Sequence, residues 1–340
     1  MLSTDPTNAM TSDCLRAIDA IPKADLHLHQ EAERCLDRIF SRRDGRPPYD
    51  WSAWRRQIIE TVPAGQERLR LIGTVKPVPL ADDDDDLFVA RFAELLEFEA
   101  EAGAHYVEVR GDGRTIRKAR FMELFRQAEQ RAQEKYPQLR AEAIAIIMTT
   151  LPADEVAAIA DECVRARGDG LAGVDFLYQP YLTDADWTPI HRLAERFAEV
   201  GLGVTAHAGE MSTANIAAAA QTPGLTRIGH GIHAASEPGL IDLLIDRGIT
   251  LECALTCNAF LGATPSLEEH PLPQLIEAGV SVALATDNPI QVGTTIGREY
   301  LVAASLGLTI RQLHDIARNA IQASFTTPDR RAELLARLGP

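Results

Sequence analysis

Four short segments of this sequence carry residue types that can do chemistry together. In His27-Leu28-His29, two imidazoles stand two residues apart, and on an extended strand such positions project from one face. Both rings can then reach a single metal ion, although the same pair also suits a solvent-facing strand. In His207-Ala208-Gly209-Glu210, a third imidazole closes an apolar stretch. The glycine there allows a turn that brings Glu210 to the same space as a proton-transfer group. A plain strand-to-helix turn, with Glu210 at a helix N-terminus, explains that segment equally well. Arg227-Ile228-Gly229-His230-Gly231 sets a histidine between glycines, where it can act as a base or an electrostatic stabiliser. Ala285-Thr286-Asp287-Asn288-Pro289 ends another apolar run with a carboxylate.

Each segment falls at the end of a candidate β-strand. Eight such strands are legible as short apolar or β-branched runs: Ala24–His29, His105–Arg110, Ala143–Thr149, Gly173–Leu177, Gly203–His207, Thr226–Gly229, Thr250–Leu255 and Val280–Thr286. Between them lie segments of helical period, such as Asp86–Ala102 with Gly103 as its stop, Ala153–Arg167 and Pro189–Val200. The expected fold class is α/β, and eight strands favour a closed (β/α)8 barrel over an open doubly wound sheet. Four reactive groups at the C-terminal ends of four strands then form one constellation, because barrel active sites assemble at that end. Residues 41–81 are too long for an ordinary loop and read as a helical insertion after the first strand, over the barrel mouth. Residues 297–340 read as terminal helices packed outside, and 1–340 as a single domain. The run Asp82–Asp86 reads as helix N-terminal charge, since consecutive carboxylates diverge and do not converge on a cation.

Composition narrows the function classes. With 46% hydrophobic and 24% charged residues, the 340-residue chain is globular. Thirty-four Lys and Arg against 49 Asp and Glu give a net charge of −15. That charge repels nucleic acid and anionic bilayers, so neither is an expected partner. Five scattered cysteines, Cys14, Cys35, Cys163, Cys253 and Cys257, make no disulfide framework. The opening MLSTDPTNAMTSDC has neither a basic start nor an apolar core. A cytoplasmic location is the expectation, and the oligomeric state is left open.

The order HLH, HAGE, RIGHG, TDN resembles the adenosine deaminase family of metal-dependent amidohydrolases. The resemblance extends over Pro22–His29, Tyr106–Arg110 (YVEVR), His270–Pro289, Gly293-Thr294-Thr295 and Ala317–Phe325 (ARNAIQASF). It implies one zinc per chain held by His27, His29, His207 and Asp287. It further implies Glu210 as proton donor to a ring nitrogen, with His230 beside the activated water as base or electrostatic partner and Asp287 among the catalytic groups. No lysine stands near the end of the fourth strand, Asp175-Phe176-Leu177-Tyr178, to bridge a second metal. Zinc brings the pKa of a bound water toward neutrality, and that water would attack an amine-bearing ring carbon and release ammonia. The unrelated H-x-E…P-C-x-x-C deaminase pattern is missing, and Cys253 and Cys257 are expected to be strand-packing residues.

Departures from the family pattern concern the substrate side. Gln30-Glu31-Ala32 keeps an acid without the usual glycine, so Glu31 is expected at a ribose hydroxyl. Tyr178 is expected to crowd the base, and Asn288 replaces an aspartate as a donor to a ring acceptor. The expected activity is zinc-dependent hydrolytic deamination of an aminopurine nucleoside or related small heterocyclic amine. The alternatives are cleavage of a different C–N bond, or a non-catalytic metal-binding homologue. His105, His191, His233, His270 and His314 are expected at surface or supporting positions.

Overall fold

The computed structural model describes residues 6–7, 10–30, 45, 47–72, 84–177 and 181–339. Eight parallel strands pair in sequence order: β1 (Lys23–His29), β2 (Ala104–Asp112), β3 (Arg140–Met148), β4 (Gly173–Leu177), β5 (Gly203–Ala208), β6 (Leu225–His230), β7 (Thr250–Cys253) and β8 (Ser281–Leu284). Helices cover the outside of this (β/α)8 barrel.

Closure between β8 and β1 is made beyond the end of β8. Asp287 N donates to His27 O at 2.8 Å, and His29 N donates to Asp287 O at 3.0 Å. This bridge centres on Leu28 and Asp287. Asp287 adopts φ 60° to make it, a left-handed conformation that non-glycine residues seldom take. Closing the barrel and gathering His27, His29 and Asp287 are therefore one event.

Strand ends differ from the sequence expectation where the chain turns early. The seventh strand stops at Cys253 and a helix starts at Leu255 (Leu255–Leu261), while the eighth is only Ser281–Leu284. Parts of 41–81 are helical, at Trp51–Thr61 and Gln66–Ile72. Their Trp51, Trp54, Ile58 and Ile72 pack on Phe260, Leu261 and Val292, so this layer sits beside the ends of β7 and β8; residues 41–44, 46 and 73–81 lie outside the described residues. A helix at Ser12–Asp19 was not anticipated. After residue 295 come helices Ile296–Ser305, Ile310–Ala323 and Pro328–Leu338. Of the aspartate run, Asp84 accepts from Leu87 N at 2.9 Å and caps the helix Asp85–Glu101, which is the role its position predicts.

The opposite end of the barrel is closed by Phe325. A Cβ added to Gly203 would come within 2.2 Å of its ring. Gly203→Ala is expected to destabilise the protein by about 1–3 kcal/mol, the usual range for overpacking, with Phe325→Leu restoring part of the loss in a double-mutant cycle read by urea unfolding. A single variant as stable as the parent would contradict this packing.

Candidate metal centre and active site

The barrel interior is charged. Glu108 and Arg110 of β2, Asp175 of β4, Arg227 of β6 and Glu252 of β7 are all completely buried. Strand alternation sends them inward while Val107, Val109 and their equivalents face the helices. Arg227 bonds Glu108 at 2.5 Å and Glu252 at 2.7 Å. Arg110 pairs with Glu252, with Asp175 at 2.8 Å and with the carbonyl of Leu26 at 3.0 Å. Burial works against the charge of Asp175, but Arg110 and His207 outweigh it and hold its carboxyl below the usual range.

Two of these carboxylates set imidazole tautomers. Glu252 lies 3.0 Å from His27 Nδ1, and Asp175 lies 3.1 Å from His207 Nδ1. An ionised carboxylate only accepts, so each Nδ1 carries the proton and each Nε2 presents a lone pair to the barrel mouth. Burial, with Arg110 and neighbouring rings, keeps His27 well below its ordinary pKa, and burial with His207 brings His29 down to about 3. These two rings are thus held neutral. A Cβ on Gly229 would come within 2.8 Å of His27 Cε1, so only glycine lets that ring lie against β6.

The ring nitrogens converge. His29 Nε2 is 3.3 Å from His207 Nε2 and 3.3 Å from Asp287 Oδ1, while His27 Nε2 is 3.7 Å from the same oxygen. Three overlapping groups have donor atoms within 4.8 Å of one another: His27, His29 and Asp287; His27, His207 and His230; Glu210, His230 and Asp287. His27 Nε2 and Glu210 Oε1 are buried and have no hydrogen-bond partner among the described residues. Orphaned buried polar atoms are costly, and a cation beside His27 would satisfy its Nε2 lone pair. Three imidazoles and one carboxylate match the donor chemistry of zinc.

Glu210 follows a turn at Gly209, with φ 71°. Burial, reinforced by the charge of Asp287, pushes its carboxyl well above the ordinary value, favouring the acid form. His230 Nε2 is 3.6 Å from Glu210 Oε1. Behind it runs a chain of hydrogen bonds that decides which nitrogen bears the proton. Leu272 N donates to His270 Nδ1 at 3.1 Å, His270 Nε2 donates to Asn258 Oδ1 at 3.3 Å, and Asn258 Nδ2 donates to His230 Nδ1 at 3.1 Å. A backbone N–H can only donate, so each later polarity follows and His230 carries its proton on Nε2. His270, expected at a surface or supporting position, proves to be a buried member of this chain.

The residues anticipated from sequence gather here, with two outside the described residues: Glu31 and Tyr178. Asn288 lines, with His29, His207, Glu210, His230 and Asp287, a pocket at the barrel mouth, and donates to Asp287 Oδ1 at 2.7 Å. Leu69 and Ile72 of the layer over the mouth form part of the same wall. Cys257 corrects an expectation. It stands on the helix after β7, not on a strand, and its buried thiol lies beside the Asp287 carboxylate. His105, His191, His233 and His314 lie away from the converging lone pairs. Sequence reading missed Arg110, Asp175, Glu252 and Asn258 as orienting groups. The available signal was charge inside strands, as in Val107-Glu108-Val109-Arg110.

Arg110→Met would leave Asp175 and Glu252 buried without their shared cation. It is expected to cost about 3–5 kcal/mol of stability, as removal of one member of a buried ion pair does. Urea unfolding checks this, and a loss under about 1 kcal/mol would mean that the network is not closed through Arg110.

The family profile described as adenosine deaminase matches residues 65–339; His27 and His29 precede the matched stretch. An adenine deaminase of Chelativorans sp. (strain BNC1) is 41% identical over 144 residues, covering 42% of this chain and 44% of that protein. The chain therefore spans less than half the length of that relative. An adenosine deaminase-like protein of Drosophila melanogaster is 30% identical over 259 residues, covering 73% of this chain and 75% of its own. A crystal structure of an amidohydrolase from Burkholderia ambifaria with bound Zn shares the fold, with a TM-score of 0.75 at 21% identity, over 97% of this chain and 93% of that one.

Proposed function

The chain belongs to the adenosine deaminase family, and on that premise we propose that it is a zinc-dependent hydrolytic deaminase acting on a 6-aminopurine, as the free base or in a nucleoside. The observation that carries this reading is the convergence of the His29 and His207 Nε2 atoms with the Asp287 carboxylate, beside the buried Glu210 carboxyl. The names of the adenine and adenosine deaminase-like relatives supply the substrate class, and the Zn in the related amidohydrolase supports the choice of metal.

His27, His29, His207 and Asp287 would hold the ion. When bound, zinc supplies the Lewis acidity that brings a water's pKa toward neutrality. The remaining steps belong to the protein. His230, fixed as an Nε2–H donor by Asn258 and His270, hydrogen-bonds the attacking oxygen and aims it; of its two anticipated roles, the tautomer favours electrostatic partner over base. Glu210 gives its proton to the ring nitrogen next to the amine-bearing carbon as the carbon–oxygen bond forms. The resulting carboxylate takes the hydroxyl proton and delivers it to the departing amine. The carbon–nitrogen bond breaks, ammonia leaves, and the ring keeps its new N–H and carbonyl. The water gives up one proton to solvent on activation and the Glu210 carboxylate takes one back from solvent at the end, which restores its acid form and closes the proton balance. Burial of Glu210 serves this cycle, because a carboxyl ionised throughout could not start it.

The test is ammonia release from purified protein given adenine, adenosine and adenosine monophosphate in turn. Turnover of at least one is expected, and turnover of none with metal present would overturn the assignment. Elemental analysis is expected to find about one zinc per chain; two tightly held metals would contradict the mononuclear reading. Glu210→Gln keeps the shape and removes the proton. It should retain zinc while kcat falls by roughly 10²–10⁴, whereas loss of zinc would make Glu210 a ligand instead of the acid.

A further inference from the structure

A large cavity lies at the end of the barrel opposite these residues, beneath the N-terminal ends of β4 to β8. Its volume is about 950 Å³, within the range of small-molecule sites. Phe325 separates it from the barrel interior: the ring fills the space beside Gly173 and Gly203 and sits 3.6 Å from the Arg227 guanidinium.

The wall carries four arginines, Arg126, Arg167, Arg330 and Arg331, against one carboxylate, Glu142. In a chain of net charge −15, that is a local reversal of sign. Arg126 and Arg330 share Glu142 and also reach Glu129 at 2.8 and 3.4 Å, so their charge is balanced. Arg167 and Arg331 have no carboxylate partner among the described residues. Arg331 uses one nitrogen on the carbonyls of Ser324 at 2.7 Å and Thr326 at 3.4 Å, and its buried Nε has no partner. Unbalanced guanidinium groups around a cavity concentrate anions, and their planar fork matches phosphate oxygens.

We propose that this cavity binds a small phosphate-bearing anion between Arg167 and Arg331, at a site separate from the catalytic one. The inference does not rest on the deaminase reading. Titration calorimetry at low ionic strength, with inorganic phosphate and with a purine nucleoside monophosphate as probes, tests it. Sub-millimolar binding of at least one probe is expected, with Arg167→Glu weakening it at least tenfold. Arg167 is exposed and has no ion pair to lose, so that variant should fold; thermal unfolding checks this, and Arg331→Gln serves as a second variant if it does not. Tighter binding of the nucleotide that is lost in Arg167→Glu would identify a nucleotide as the ligand of this cavity, and equal binding of both probes, weakened alike in that variant, would identify free phosphate. Failure of both probes to bind, or binding unchanged in the folded variants, would overturn the proposal.

Discussion

A continuous column of buried charge governs the inside of this barrel. It runs from Glu108 through Arg227, Glu252 and Arg110 to Asp175, and its upper carboxylates end on His27 and His207. Taking so many ions from water is expensive, and removing one member would leave its partners buried and uncompensated. Because Arg110 grips both orienting carboxylates, it fixes the imidazole tautomers at once, and two lone pairs point to the mouth. An apolar barrel interior would pack as densely, but it would leave those rings free to rotate or to exchange tautomers.

A second constraint comes from the seam. The bond pair between Asp287 and the strand carrying His27 and His29 closes the barrel, so the carboxylate is positioned by backbone hydrogen bonds, not by side-chain packing alone. Its left-handed backbone is shared among the described non-glycine residues by Arg120, Asn215 and His230. Two of the four belong to the site, in keeping with the tendency of strained conformations to persist where surrounding structure enforces them. Around the mouth, Asn288 donates to Asp287 and the Cys257 thiol lies beside it, and the aromatic layer of Trp51 and Trp54 covers the neighbouring helix.

What could be read from the sequence follows from these two constraints. The barrel was legible because apolar strands alternate with helical segments, and the reactive residues because each follows a strand end. Strand limits at β7 and β8 were less legible, since Leu255 is as apolar in a helix as in a strand and Asp287 pairs beyond the strand proper. The orienting network went unread for a more general reason. A charged residue in a strand ordinarily marks a solvent-facing side, and here Glu108, Arg110, Asp175, Arg227 and Glu252 mark the interior because each carboxylate pairs with an arginine of the same column. The same applies to His270, whose role depends on Asn258, a residue on another element.

On the proposed reading, the column makes the lone pairs, the seam adds the carboxylate, and burial holds Glu210 as an acid beside them. All of it turns on a metal held by nitrogen and oxygen donors alone, although the Cys257 thiol stands against one of them. The X-ray absorption fine structure of the purified, metal-loaded protein tests that point directly. Zinc surrounded only by imidazole nitrogen and carboxylate oxygen at about 2.0–2.2 Å is the expected result. A sulfur scatterer at about 2.3 Å would place Cys257 on the metal and contradict the ligand set.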